Sequence, residues 1–397
     1  IMGLAHSPKI VTDGLAFMYD TGSGKSYKGE PVVNIWSVQS GGNVNSRTSW
    51  DTPKAYNGDV TDAVYTGGTW SGNRIWEVLH TAGTSGYGGW ESWRLCVSQP
   101  TAGSSYSSTR RVAIKICILE GSISDLAIHS GGGNSSHNSS YFTAIPESQV
   151  PRDCPIKSGW YQFLATANWN STTVAHCVGL GFITYNRVKI LTTEPMYYPS
   201  DHLIPFTGTE RSTTQGLLDL TNNATINLSN VSFDSNAQMV LDGTDDTINT
   251  GLFSGRNPAT DPFTIEAVVK SDTTSGGRMW VDATNNGSNQ RLYCAHAATG
   301  TGTPMGIQGS GWSSSAPHDT DYHHYVIVMD GSVARLYNNG EAHSTKNYTS
   351  YQIQALNIGG RNTYRWFGDI PIFKLYDRAL TADEVLQNYN ATKSRFL

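Results

Sequence analysis

The stretch GDIPIFKLYDRALTADEVLQNYNATKSRF, residues 368–396, decides the fold. Its first half, IPIFKLY, has the β-branched and aromatic residues of a buried strand, and its second half has the apolar spacing of a helix. Thr381 and Glu384 have the spacing of a capping box, and Leu380 with Val385 can form the hydrophobic staple around it. The sequence therefore predicts a strand followed by a short C-terminal helix.

The rest of the 397-residue chain alternates short apolar runs with turn-forming clusters. Runs such as RVAIKICILE, FTIEAVVKS and HHYVIVMDG are rich in β-branched and aromatic residues, and Gly, Asn, Asp and Ser bound them. ARLYNNGEA carries Asn-Gly between two such runs, which is a strong hairpin signal. This pattern predicts an all-β fold of two β-sandwich (jelly-roll) domains, and the chain is long enough for two cores.

Charge and composition limit the classes of function. Charged residues make up 15% of the chain and the formal net charge is -5. No basic face is available to neutralise phosphates, so we expect no nucleic-acid partner.

GSGKS, residues 22–26, lacks the first glycine of a phosphate-binding loop, because Tyr19 occupies that position. No run long and apolar enough to span a bilayer exists, and IMGLAHSPKIVTDG lacks the pattern of a signal peptide, so we expect no membrane insertion.

Residues 215–397 resemble the laminin G or concanavalin A-like lectin fold, in the form found in bacteriophage virion proteins and bacterial surface proteins. The resemblance is carried by MVLDGTDDTINTG, FTIEAVVKSD and HHYVIVMDGSVARLYNNG, and above all by the strand, Arg-Ala-Leu turn and capped helix of residues 368–396. It implies a C-terminal concanavalin A/laminin G-like sandwich that ends in a short helix.

The start of the chain, SPKIVTDGLAFMYDTGSGKSYKGE, resembles the segment that precedes this lectin-like module in phage virion proteins. Here a long block with its own strand pattern separates the two pieces. We therefore predict that residues 1–29 give a strand to the C-terminal sandwich and that residues 30–200 form an inserted jelly-roll domain, similar to carbohydrate-binding modules. Residues 201–214 are then a linker, and residues 215–397 form the lectin-like domain.

The resemblance implies a non-enzymatic structural protein on the surface of a phage particle, made in the host cytoplasm. A head decoration, a head fibre and a tail fibre all fit. Expected partners are other virion proteins of the capsid or tail and host surface glycans, and the resemblance implies a homo-oligomer, with a trimer as the favoured state. Two alternatives stay open: a secreted or virion-borne glycan-active enzyme (a depolymerase), and a free carbohydrate-binding module. Glucanases of the concanavalin fold carry Glu-x-Asp-x-x-Glu on one strand, whereas FTIEAVVKSD offers only Glu266.

Candidate glycan-binding residues are aromatic, because an exposed ring can stack on the face of a sugar. Sandwich cores also use tryptophan, so part of this set is expected in the core. The candidates are Trp70, Trp76, Trp90, Trp93 and Trp312.

A candidate calcium site lies in LDGTDDTIN, where Asp242, Asp245 and Asp246 place three carboxylates in one turn. Hard cations such as Ca²⁺ prefer clustered carboxylates and carbonyls. The same residues can instead close a plain turn with Asx hydrogen bonds, and we favour that interpretation. Calcium is the one cofactor that the sequence suggests.

The histidines and cysteines indicate structural roles. His323 and His324 are adjacent in a predicted strand, so their rings point to opposite faces, and we expect one structural and one solvent-facing ring. The five cysteines show no CxxC spacing, so neither a zinc site nor a disulfide framework is indicated. Cys117 is expected to be a buried thiol, and a bridge between Cys154 and Cys177 stays open.

Overall fold

The fold is taken from a computed structural model. The chain divides into two compact units, one of Ile1–Pro31 with Ser212–Leu397 and one of Val32–Arg211. No helix among the described residues is long and apolar enough to cross a membrane. The structure describes residues 9–32, 64–80, 111–130, 141–166, 178–182, 186–198, 200, 202–207, 211–236, 238–252, 256–273, 278–284, 291–296, 305–307, 310–312, 319–348, 353, 355–360 and 364–396.

The described residues are mostly strand, as the sequence predicts. In chain order the elements are β1 (Leu15–Asp20), β2 (Val64–Trp70), β3 (Asn73–His80), β4 (Arg111–Glu120), β5 (Leu126–Ser130), β6 (Phe142–Ala144), β7 (Trp160–Thr166), β8 (Val178–Phe182), β9 (Val188–Tyr198), β10 (Asn227–Ser229), β11 (Ser232–Phe233), β12 (Met239–Asp242), β13 (Thr247–Asn249), β14 (Phe263–Ser271), β15 (Arg278–Thr284), β16 (Arg291–His296), β17 (Met305–Ile307), β18 (Ser310–Trp312), β19 (Tyr322–Asp330), β20 (Val333–Asn338), β21 (Glu341–Asn347), β22 (Ala355–Ile358), β23 (Phe367–Tyr376) and the helix α1 (Ala382–Phe396).

The unit that contains α1 is a sandwich of two antiparallel sheets. One sheet has the order β11-β12-β23-β14-β19-β20-β21, with β1 also paired to β23, and the other has the order β10-β13-β22-β15-β16-β17-β18. Apolar side chains of both sheets form one core between them, among them Ile265 and Phe373 from the first and Val281 and Ile358 from the second. The all-β sandwich predicted for this half of the chain is confirmed.

Strand β1 comes from the start of the chain but lies in the sheet of the C-terminal residues. It runs antiparallel to β23, with Phe17 opposite Leu375. Phe17 and Tyr19 enter the sandwich core, whereas Leu15 packs on the outer face of the sheet beyond a register shift. The apolar sequence of β1 therefore fits a strand that is covered on both faces.

Helix α1 begins with the predicted capping box. Thr381 N donates to Glu384 Oε2 at 2.8 Å, and Glu384 N donates to Thr381 Oγ1 at 3.3 Å. Leu380 and Val385 pack in a small cluster on the outer face of the sheet, together with Val326 of β19. The helix therefore covers the face of the sheet that points away from the sandwich core, and the box and the staple are both confirmed.

The unit Val32–Arg211 holds a six-stranded antiparallel sheet of order β2-β3-β9-β4-β7-β6 and a two-stranded ladder of β5 and β8. Cys117 and Cys154 are buried free thiols in this unit, and Cys154 Sγ donates to Ile156 O at 3.0 Å. The prediction for Cys117 is confirmed. Cys177, the other half of the bridge left open above, lies outside the described residues.

Residues 202–207 are part of this unit, although the sequence suggested a linker over 201–214. Ile204 is 3% exposed and packs with Ala113, Met196 and Tyr198 of the sheet. The apolar residues of LIPF provide the reason, because their burial stabilises the segment against the sheet. The segment is therefore packed rather than a free linker.

Candidate functional site

Glu266 lies in the middle of β14 and faces α1 rather than the sandwich core. Its Oε1 accepts hydrogen bonds from Lys374 Nζ at 2.5 Å and from His324 Nε2 at 2.9 Å, and its Oε2 accepts from Asn388 Nδ2 at 2.6 Å. All four residues are 0% exposed. A carboxylate carries no proton to donate, so the donors are the ammonium, the ring N–H and the amide. We call these four residues the Glu266 network.

The Glu266 network also holds the N-terminal segment. Val11 N donates to Asn388 Oδ1 at 2.7 Å, and Tyr376 Oη donates to Val11 O at 3.1 Å. Asn388 Nδ2 also donates to Tyr376 Oη at 2.9 Å. The polar groups of a segment at the start of the chain are thus satisfied by a helix at its end.

The charge state of Glu266 follows from its neighbours. Burial by itself raises the pKa of this carboxyl, yet the adjacent Lys374 ammonium and His324 ring lower it to about 2. Glu266 therefore stays ionised and fully paired at neutral pH. A general acid in glycoside hydrolysis needs the opposite, a carboxyl with a raised pKa beside the glycosidic oxygen.

The carboxylates predicted to bind calcium do lie together. Ligand oxygens of Asp242, Asp245 and Asp246 are within 4.8 Å of one another. Asp246 Oδ2 accepts from Asp242 N at 2.5 Å, and Asp242 Oδ1 accepts from Thr244 N at 2.7 Å. These are the hydrogen bonds of a turn closed by its own side chains.

Two arginines engage the backbone of the same turn. Arg278 Nη1 donates to Gly243 O at 2.9 Å, and Arg365 Nη1 donates to Asp246 O at 3.0 Å. Burial raises the pKa of Asp246 to about 6, so this carboxyl is costly to ionise without a cation beside it. Three carboxylates suit Ca²⁺, whereas the arginines hold two carbonyls that a cation could otherwise use. Calcium at this turn stays a prediction.

The structure separates the five tryptophan candidates. Trp70 and Trp76 are each 5% exposed. Trp70 packs edge-on against Trp160, with ring centroids 4.8 Å apart, and Trp76 packs against Tyr65 at 5.7 Å. Neighbouring side chains cover both rings, so Trp70 and Trp76 belong to the part of the set that was expected in the core. Three candidates cannot be placed in this way: Trp90 and Trp93 lie outside the described residues, and Trp312 ends β18 with a side chain outside them.

The two adjacent histidines are both buried, so the prediction of one solvent-facing ring is wrong. His323 is 5% exposed and His324 is 0% exposed. His323 Nε2 lies 2.7 Å from Asp319 Oδ1, and its ring stacks on Tyr325 at 5.5 Å. The sheet is covered on both faces here, by the second sheet and by α1, which is why neither ring reaches solvent.

Sequence reasoning missed the Glu266 network, although a signal for it exists. Glu266 interrupts the apolar run FTIEAVV and Lys374 interrupts IPIFKLY. Opposite charges inside two otherwise buried strands indicate an ion pair when the strands are neighbours, and Glu266 lies directly opposite Lys374 in the sheet.

Two facing antiparallel sheets share one core, and the C-terminal helix covers the outer face of one of them, so this unit is a β-sandwich. Residues 242–386 match the sequence profile of the concanavalin A-like lectin/glucanases superfamily. This stretch is therefore similar to a concanavalin A-like lectin domain, in agreement with the resemblance found in the sequence, and we call the sandwich that contains it the lectin-type domain. Comparison with curated proteins finds no match.

Several solved structures show a partial similarity. A Trypanosoma rangeli sialidase in complex with the inhibitor DANA is 14% identical with a TM-score of 0.32, over 48% of this chain and 34% of that one. The binding domain of botulinum neurotoxin serotype D is 13% identical with a TM-score of 0.33, over 45% and 49%. The CBM40 domain of a Ruminococcus gnavus sialidase, bound to α2,3 sialyllactose, is 16% identical with a TM-score of 0.27, over 35% and 94%.

The chain thus spans 34% of the length of the sialidase. At these identities and TM-scores the similarity carries no argument about this chain.

Proposed function

We propose that the chain is a non-enzymatic structural protein exposed on the surface of a bacteriophage particle, and that its lectin-type domain contacts glycans of the host surface. The observation that carries the non-enzymatic part is the state of Glu266. Glu266 is the acidic side chain of β14. Concanavalin-fold glucanases carry their catalytic carboxylates together on one strand, and β14 was compared with that strand in the sequence. Here Glu266 is 0% exposed and ionised, and its oxygens accept from Lys374, His324 and Asn388.

The position on a virion rests on the sequence. SPKIVTDGLAFMYD, followed by the strand, turn and capped helix of residues 368–396, resembles the order of these segments in phage virion proteins. We further propose assembly with other capsid or tail proteins and a homo-oligomer, with a trimer as the expected state. Sedimentation of the purified chain measures that state directly, and a monomer at micromolar concentration contradicts it.

Ion pairs between the N-terminal segment and the residues around the C-terminal helix support a role in surface display. Arg395 donates through both terminal nitrogens to Asp20, at 2.6 and 2.8 Å, and Arg378 pairs with Asp13 at 2.9 Å. The described N-terminal segment and the C-terminal helix therefore hold each other in place. These contacts keep the first strand and the helix of the domain together.

The rival function, a depolymerase, is tested by turnover. Purified chain is incubated with capsule and cell-wall polysaccharides of the host, and released reducing ends are measured over time. The proposal predicts no release above the rate of a heat-denatured control. Sustained release that the variant Glu266→Gln retains reveals catalysis elsewhere in the chain, and release that this variant loses while its melting temperature is unchanged makes Glu266 catalytic. Either result contradicts the proposal.

A further inference from the structure

Lys374 and Asn388 share one carboxylate inside the lectin-type domain. Lys374 Nζ donates to Glu266 Oε1 at 2.5 Å, and Asn388 Nδ2 donates to Glu266 Oε2 at 2.6 Å. Because both oxygens belong to one carboxyl group, the amine of the lysine and the side-chain amide of the asparagine lie side by side. All three residues are 0% exposed. Together they contain a nucleophile, an acyl group and a proton carrier, which are the parts of a reaction that joins two side chains by an amide bond.

The amide of Asn388 is held at both of its ends. Its Oδ1 accepts from Val11 N at 2.7 Å. A backbone N–H at this oxygen stabilises the negative charge that develops when a nucleophile attacks the carbonyl carbon, as an oxyanion hole does. Its Nδ2 donates to Glu266 Oε2 at 2.6 Å and to Tyr376 Oη at 2.9 Å. The nitrogen that must leave therefore lies against a carboxyl group that can protonate it.

Glu266 can carry a proton between the two nitrogens. Its carboxylate is ionised at rest, so it can act as the base for the Lys374 ammonium. Transfer of one proton turns the ion pair into a neutral carboxyl and a neutral amine, which is the nucleophile, and burial favours the neutral form of both groups. His324 Nε2, 2.9 Å from Oε1, holds the carboxyl in place. Since none of these side chains is exposed, water does not compete with the amine for the amide.

We propose that Lys374 and Asn388 become joined by an amide (isopeptide) bond in the folded chain, with Glu266 as the proton carrier. Glu266 takes one proton from Nζ, and a bond forms between Nζ and Cγ of Asn388. A second proton passes from Nζ to Nδ2, the bond between Cγ and Nδ2 breaks, and ammonia leaves. Glu266 keeps the first proton, so a buried ion pair is replaced by a neutral amide and a neutral acid. The step uses no oxidant and no further reactant.

The bond ties β23 covalently to α1 on the outer face of the sheet. Burying an ion pair costs free energy because both charges lose their water, and amide formation removes that cost. A covalent link between two elements also restricts the unfolded chain, as a disulfide does. Until the bond forms, the ion pair holds Glu266 ionised. The reaction involves side chains of this domain alone and does not depend on a glycan or on a virion.

Mass spectrometry of the full chain tests the proposal. Loss of one ammonia lowers the intact mass by about 17 Da, and the mass is followed from fresh purification through incubation at neutral pH. A ring closed by Asn388 on its own backbone also loses ammonia, so the link is located in tryptic peptides. An amide on Lys374 blocks cleavage there, and residues 366–378 are then recovered joined to residues 379–393.

Three variants accompany the wild type. Lys374→Arg keeps a cation beside Glu266 but cannot form the amide, and Glu266→Gln removes the proton carrier. Lys393→Arg is the matched control, because Lys393 is an exposed lysine on the same helix as Asn388. Circular dichroism measures the fold of each variant, and the peptide map of the wild type decides by itself where a variant does not fold.

We expect the wild type and Lys393→Arg to lose about 17 Da and to yield the joined peptides, and Lys374→Arg to keep its full mass. Folded Glu266→Gln should form the bond about a hundredfold more slowly or not at all. Three results overturn the proposal. The first is an unchanged mass of the wild type after incubation, and the second is a loss of ammonia with normal cleavage after Lys374. The third is a folded Glu266→Gln chain that forms the bond at the wild-type rate.

Discussion

Val11 and Asn388 are hydrogen-bonded across the whole length of the chain, with Val11 N donating to Asn388 Oδ1 at 2.7 Å. The same Asn388 donates to the buried Oε2 of Glu266. One amide therefore joins the N-terminal segment, the C-terminal helix and the central strand of the sheet. Because all of its polar atoms are used, this position tolerates few other side chains.

The variant Asn388→Ala tests the hydrogen bonds of Asn388 with Val11 and Glu266. It leaves Glu266 Oε2 and Val11 N without their buried partner, so we expect the free energy of unfolding to fall by about 2 to 4 kcal/mol. Asn390→Ala is the matched control on the same helix, and we expect it to change stability by about 0.5 kcal/mol or less. Urea denaturation of both variants measures the difference, and equal midpoints contradict the account.

The variant Lys374→Met tests the buried ion pair. It removes the cation beside a fully buried carboxylate, and we expect a loss of about 3 to 5 kcal/mol of stability. The exposed pair of Arg335 with Asp330, 2.8 Å apart, gives the control. Arg335→Met is expected to cost about 1 kcal/mol or less, because solvent screens such pairs. If Lys374→Met lowers the free energy of unfolding as little as the control does, the buried ion pair between Lys374 and Glu266 is contradicted.

Stability should fall in acid through two carboxyls. The pKa of Glu266 is lowered from 4.5 to about 2 by Lys374 and His324 against the effect of burial, and the hydrogen-bonded Arg378 guanidinium lowers that of Glu384 to about 2. Each carboxyl binds its proton more tightly in the unfolded chain, so its contribution is present above pH 4.5 and is lost as the pH falls towards 2. Melting temperatures measured across this window should drop steeply, and less steeply for Glu384→Gln. A flat profile contradicts the lowered values.

Calcium, if it binds the turn of Asp242, Asp245 and Asp246, acts through Asp246. Burial raises the pKa of this carboxyl from 3.8 to about 6, so without a cation its contribution is greatest below pH 3.8 and is lost as the pH rises through 6. A Ca²⁺ bound at this turn would reverse this cost, so added calcium would raise the melting temperature at pH 7, chelation would lower it, and Asp246→Asn would abolish both effects. An identical melting curve with calcium and with chelator indicates a plain turn.

Gly368 should resist substitution. Its φ is +134°, and a Cβ there would lie 2.1 Å from Lys270 O. Gly331 is the matched control, because its φ is also positive, at +66°, and nothing lies within 4 Å of its Cβ position. We expect Gly331→Ala to cost about 1 to 2 kcal/mol and Gly368→Ala to exceed it clearly, since a backbone clash adds to the strain. Thermal unfolding compares them, and equal losses contradict the close approach.

Local signals made much of the fold predictable. The capping box at Thr381 and Glu384, the staple at Leu380 and the apolar alternation of the strands each depend on neighbours in sequence. The register between strands does not, because it is set by contacts between distant residues. That is why the pairing of Glu266 with Lys374 was not foreseen, although each charge was visible inside its own strand.

The candidate sites were less predictable for the same reason. Three aspartates in one turn are adjacent in sequence, and the structure brings them together. Burial of a tryptophan depends on side chains that are distant in sequence or on another strand. Trp160 packs against Trp70, and Tyr65 packs against Trp76. The segment 202–207 was predicted to be linker because three prolines obscure any strand pattern around it, whereas its packing depends on contacts with the folded sheet.

The most direct test of the central claim is quantitative mass spectrometry of purified phage particles. Particles are banded on a density gradient from a lysate in which the chain is produced from its own genome, and its peptides are counted against those of the major capsid protein. The account predicts that the chain co-bands with the particles in a fixed ratio. Recovery of the chain solely in the particle-free supernatant contradicts it.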